Sequence, residues 1–154
     1  MEPTVTYARN SNLAAYRSVS VHGGVANADP HTMVQMLMDA AAERMAIARG
    51  CIERGERGRQ AGLLHSCVII IGELRGSLNI TEGGTLAQNL SDLYDYMIRQ
   101  LVMANARSEV GLIVEVSRLL EEIRSAWIAI GPEVRKAAAP VAKAAPMTAV
   151  AGPA

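Results

Sequence analysis

Phenylalanine is absent from this 154-residue chain, and aromatic residues of all kinds make up only 3% of it, as four Tyr and one Trp. A core built by ring stacking is therefore excluded, and the interior must be filled by aliphatic side chains and by the eight methionines. Lysine occurs only at Lys136 and Lys143. Both fall in an Ala- and Pro-rich C-terminal stretch, so the folded part holds neither a phosphate-loop lysine nor a Schiff-base lysine. There is no surplus of basic charge, because fifteen Lys and Arg face fifteen Asp and Glu. That balance argues against nucleic-acid binding, which needs a basic footprint. No apolar run approaches the roughly 20 residues of a membrane-spanning helix. The N-terminus, Met1-Glu2-Pro3-Thr4, lacks the charged and apolar regions of an export signal. Two cysteines, Cys51 and Cys67, cannot make a disulfide framework and point to free thiols in a reducing cytoplasm.

What is present is helical patterning in four blocks. Asp29-Pro30 opens the first, with Asp accepting from free backbone amides and Pro at the first helical position. Met33, Leu37, Ala41, Met45, Ala48 and Ile52 then recur every three or four residues on one face. Residues 53–60 form a charged, glycine-broken stretch, either a basic contact patch or a solvated loop. A second helix is expected from Gln60 to Asn79, striped by Leu63, Cys67, Ile71, Leu74 and Leu78. Its pentad Cys67-Val68-Ile69-Ile70-Ile71 is apolar all round, as suits a central helix or one with a side awaiting a partner. After Thr81-Glu82-Gly83-Gly84, Thr85 is expected to cap a third helix, with Gln88 as its capping-box partner. That helix carries Leu86, Leu90, Tyr94, Met97, Leu101 and Ala104, with a second apolar face of Leu93, Tyr96 and Met103. Ser108 is expected to cap the fourth, whose seam Ile113, Val116, Leu120, Ile123, Trp127 and Ile130 alternates steps of three and four.

Four such helices with short links predict an all-α, antiparallel four-helix bundle over residues 29–131. Residues 1–28 are expected to form a lid or short extra helix, with a turn around Asn12 to Val19. Residues 132–154 read as a disordered Ala/Pro-rich tail.

Little catalytic chemistry is apparent. No Glu-x-x-His pair of the di-iron bundles occurs, and His22, His31 and His65 lack zinc spacing with the cysteines. No metal or cofactor is expected. His31, in a first helical turn, is expected to face solvent, and His65 to lie at a core boundary. Both cysteines look like small core residues. Arg44, Arg75 and Arg99 could hold an anionic metabolite in a mutase-type bundle. The alternative for these arginines, and for Arg49 and Arg124, is surface pairing with neighbours such as Glu43, Glu73 and Glu122. Met33, Met36, Met38 and Met45 suit either an adaptable binding surface or a well-filled core. The surplus apolar residues on helices two and three could also serve self-association into a weak homodimer.

Ala15-Tyr16, Asp29-Pro30, Met36-Leu37-Met38-Asp39-Ala40, Gly83-Gly84, and Leu90-Ser91-Asp92-Leu93-Tyr94-Asp95-Tyr96-Met97 stand out, followed by Leu101 and Ala104-Asn105, with Trp127 late in the last helix. Together these segments resemble the FliS family of flagellin export chaperones. The resemblance runs from about Asn12 to Ile130, and the longer N-terminus and Ala/Pro tail depart from it. It implies a non-enzymatic, cytoplasmic bundle that binds the disordered C-terminal segment of flagellin, prevents premature polymerisation and delivers the subunit to the flagellar type III secretion gate. Client contact is expected through Ile69, Ile70, Leu86, Leu93, Tyr96 and Met97. The N-terminal segment resembles a lid, with Tyr16 as its plug, while Tyr94 and Trp127 are expected in the core.

Overall fold

A computed structural model describes residues 29–144; the expected lid with Tyr16, the turn around Asn12 to Val19 and the last ten residues lie outside it. Helix α1 spans Pro30–Arg54, α2 Arg57–Gly76, α3 Ile80–Arg107, α4 Val110–Ala129 and α5 Gly131–Ala144. Consecutive helices pack together, and α1 also packs on α4, so α1 to α4 close into an antiparallel ring.

Local chemistry sets most boundaries. Asp29 Oδ1 accepts from the Thr32 amide at 2.7 Å, and Pro30 follows as the first helical residue. At the far end Gly55, with φ 71°, stops α1 in the left-handed conformation. Two helix caps differ from the sequence expectation. The third helix starts at Ile80, capped by Asn79, which accepts from the Glu82 amide at 3.1 Å. Gln88 donates to Asp92 instead of closing a capping box. Ser108 does not open α4; at φ 53° it ends α3, and Glu109 precedes α4. Its hydroxyl lies 3.3 Å from the Gln60 side-chain nitrogen, which also donates to the Asn105 backbone and side chain. Buried Gln60 thereby ties the start of α2 to the α3–α4 turn.

As far as Ala144, the segment expected to be a disordered tail is helical. Gly131-Pro132 ends α4 but begins another helix, α5. Proline suits a first helical turn, where its missing N–H costs nothing, and the alanines beyond it propagate the helix.

Leu37, Met38, Met45, Leu64, Ile71, Leu74, Met97, Leu101, Ile113 and Leu120 fill the core. Cys51 and Cys67 are buried free thiols among them. Cys67 Sγ donates to the Ala41 carbonyl at 3.5 Å, and burial pushes its thiol up to about 12.

The arginines do not converge. Arg75 and Arg99 both pair with Asp95 at the surface, while Arg44 donates to the Ala40 carbonyl. Arg124 bridges α4 to Asp39 of α1 and also pairs with Glu121. The acidic partners are Asp39, Asp95 and Glu121 instead of Glu43, Glu73 and Glu122, and the arginine trio forms no anion site.

Candidate functional site

A cleft of about 640 Å³ opens at one end of the bundle, where α1 and α3 begin and α2 and α4 finish. Small residues and an interrupted seam make room for it. In α3, Gly84 adopts φ 54° and ψ −133°, a break inside the helix that only glycine takes readily. Beside it, a Cβ added at Gly83 would stand 2.5 Å from the Ala87 Cβ, so the close approach there requires glycine too. Across the cleft, the α4 seam loses its cover. Ile113, Val116 and Leu120 are fully buried, Ile123 and Trp127 only partly, and Ile130 is exposed.

Val34, Met38, Leu86, Leu90, Ile123 and Trp127 give the lining its apolar character. Ile80, Ile128, Ile130 and Val134 are also exposed at this end, and Leu86 is 70% exposed. Only Val102, among the exposed large apolar residues of the described part, lies far along α3 from this end. An apolar concentration of this kind marks a binding surface more readily than scattered single residues do.

Two rings from opposite ends of the chain shape the floor. Trp127 stacks on His31 with centroids 4.4 Å apart and planes 7° from parallel. Its Nε1 donates to the His31 carbonyl at 2.9 Å. His31 is thus 4% exposed, not solvent-facing as expected, because α4 brings an indole over it. His65 is exposed, on the outside of α2.

The six expected contact residues do not meet in one groove. Leu86 lines the cleft. Ile70 and Met97 are core residues, 2% and 0% exposed, so neither offers a surface while the bundle is intact. Leu93 is half-buried against the core. Tyr96 is half-buried, and its hydroxyl donates to Glu115 across α3 and α4, which raises the phenol above its ordinary value. Ile69, also half-buried, falls on the side of α2 away from Cys67, Ile71 and Leu74 by helical spacing. Tyr94 is in the core as expected; Trp127 packs against it from the cleft side. Sequence reasoning missed His31, Val34 and Leu90 as lining residues. The available signal was the α4 seam running on to a Trp at the helix end, where a ring needs an opposite wall.

Among the described residues no helix is long and apolar enough to cross a membrane, and no cluster of three His, Cys, Asp or Glu could hold a metal.

Comparison with known proteins places this architecture. The family described as "Flagellar protein FliS" matches residues 11–134. The flagellar secretion chaperone FliSB of Pseudomonas aeruginosa is 44% identical over 115 residues, covering 75% of this chain and 91% of that protein. The flagellar secretion chaperone FliS of Salmonella typhimurium is 40% identical over 124 residues, covering 80% and 92%. That of Vibrio cholerae is 37% identical over 122 residues, covering 79% and 90%. These relatives are named as chaperones and not as enzymes, and with this coverage and identity the chain belongs to the FliS family of flagellar secretion chaperones.

Proposed function

We propose that this protein binds the C-terminal segment of flagellin in the cytoplasm, keeps the subunit from polymerising and hands it to the flagellar type III secretion apparatus. The observation that carries this reading is the exposed apolar surface gathered around the cleft between the helix ends. Flagellin's terminal segments are amphipathic and build the filament core by helix packing, so a chaperone must offer a substitute apolar surface. Helix-in-groove docking supplies one. Ordering a disordered client costs conformational entropy, so contact must extend over a wide surface.

Leu86 is the contact residue that the cleft supports most directly. Leu93, Tyr96 and Ile69 would extend the contact along the sides of the bundle. Ile70 and Met97 contribute from the core by shaping those helices, not by touching the client. Tyr16, on the segment preceding Asp29, is proposed as a lid residue that covers apolar surface when no client is bound, its ring and polar tip suiting reversible burial.

Co-purification tests the reading. Flagellin with its C-terminal segment should be retained by the tagged chaperone, and flagellin truncated before that segment should not. Equal retention of both would refute it.

A further inference from the structure

His31 is a polar ring in an apolar cleft, and no described residue uses its ring nitrogens. It is 4% exposed, and among the described residues neither Nδ1 nor Nε2 has a partner. Buried polar atoms are nearly always paired, so two orphans on one ring call for a cause. The ring has no easy escape, because Trp127 stacks on its face and bonds its backbone carbonyl. Nearby charged groups are committed elsewhere. Asp29 accepts from Thr32 and from Arg135 at 3.2 Å, and Arg135 also donates to the Thr32 hydroxyl at 3.2 Å. Glu82 is the remaining charged residue in the lining, across the cleft on α3. Gly131, the first residue of α5, covers the edge of the ring; a Cβ there would stand 3.0 Å from Nε2.

We propose that His31 is the polar anchor of the cleft, pairing with an uncharged hydrogen-bonding side chain on a client helix whose apolar face rests on Leu86, Leu90 and Trp127. This rests on the proposed docking of flagellin's C-terminal segment at the cleft. An imidazole ring carries hydrogen-bonding nitrogens at both edges, a match for a hydroxyl or carboxamide. A charged client group would lose its hydration among apolar walls, so a neutral one fits better. The first turn of α5 need move only enough to uncover Nε2, and its polar tethers to α1 are the exposed Arg135–Asp29 ion pair and the exposed Arg135–Thr32 hydrogen bond, a weak hold. A wholly apolar helix would leave the nitrogens unpaired in the complex as well, so His31 selects among amphipathic helices that an apolar surface alone would accept alike.

The test uses the full chain, a peptide covering the C-terminal segment of flagellin, calorimetry and thermal melting. His31→Phe keeps an aromatic ring against Trp127 and removes both nitrogens. Peptide affinity is expected to fall about tenfold while Tm holds or rises. Affinity and Tm falling together would mark a packing role and overturn the proposal. Leu86→Asp separates the two ideas. If it weakens binding and His31→Phe does not, the anchor is wrong and docking at the cleft stands; if it leaves affinity unchanged, docking at the cleft fails and takes the anchor with it. Should the Phe variant not fold, nitrogen NMR of the wild-type ring decides. A shift of the His31 nitrogen resonances on peptide binding supports the anchor, and unshifted resonances in the saturated complex overturn it.

Discussion

Trp127 Nε1 reaches across the bundle end to the carbonyl of His31, 2.9 Å away and 96 residues earlier in the chain. This contact fastens the end of α4 to the start of α1 beside the cleft. Replacing Trp127 by Phe keeps much of the ring contact and leaves the carbonyl without that partner. The expected loss is about 1 kcal/mol. Trp127→Ala removes the stack as well and is expected to cost about 3 kcal/mol. Denaturant unfolding followed by circular dichroism would check both, and a loss no larger for Ala than for Phe would show that the stack contributes nothing.

Gly84 provides a second test, of backbone and not of packing. Nothing lies within 4 Å of a Cβ added there, so a methyl group meets no clash. Its φ of 54° with ψ of −133° nonetheless disfavours any L side chain. Gly84→Ala is expected to destabilise the fold by about 1–3 kcal/mol and to redirect the first turn of α3, which carries Glu82 and Gly83 into the cleft lining. A melting curve unchanged within error would mean that the break in α3 is not required.

The bundle was legible because Asp29-Pro30, the four stripes and the charged links all agree on helices of similar length. The boundaries around Gly84 and Ser108 were less so. Ser108, suited to opening α4, takes a left-handed backbone that closes α3, while the break at Gly84 falls inside α3 instead of before it, and composition does not separate these uses. The α5 helix was hidden by its alanine and proline content, which suits a tail and a helix equally. Core and surface could not be told apart on α2 and α3. Each of these helices has a neighbour on both sides, so its buried arc is wide and takes in Ile70 and Met97 beside the central stripe. The cleft lay further from view, since it forms where four helix ends meet and depends on how α4 brings Trp127 over His31.

Alkaline pH should weaken the fold. Burial lifts the Cys67 thiol from 9.0 to about 12 and the Tyr94 phenol from 10.0 to about 12. Both groups release protons more readily in the unfolded chain than in the native one. Above pH 9 the unfolded state therefore binds fewer protons, and stability falls as pH rises. The contribution is fully present below pH 9 and is lost progressively toward pH 12. Urea midpoints measured from pH 7 to 11 should decline, and Cys67→Ala should flatten the part of the decline that begins near pH 9. An unaltered slope in that variant would remove Cys67 as a cause. The same burial should leave Cys67 unreactive toward alkylating reagents until the protein unfolds.

A charged residue at position 70 distinguishes core from contact surface on α2. Ile70 is 2% exposed and packs with Leu74, Cys67 and the rest of the interior, whereas Leu86 is 70% exposed at the cleft. Burying a carboxylate without a partner is among the most destabilising of single changes. Ile70→Asp is therefore expected to unfold the bundle and abolish client binding through loss of structure. Leu86→Asp should keep the helical circular dichroism and the Tm of the parent while weakening binding to the flagellin C-terminal peptide by tenfold or more. The two variants bear on each other: a folded Ile70→Asp protein would contradict the burial of that side chain, and a Leu86→Asp protein that melts early would make Leu86 a structural residue instead of a contact.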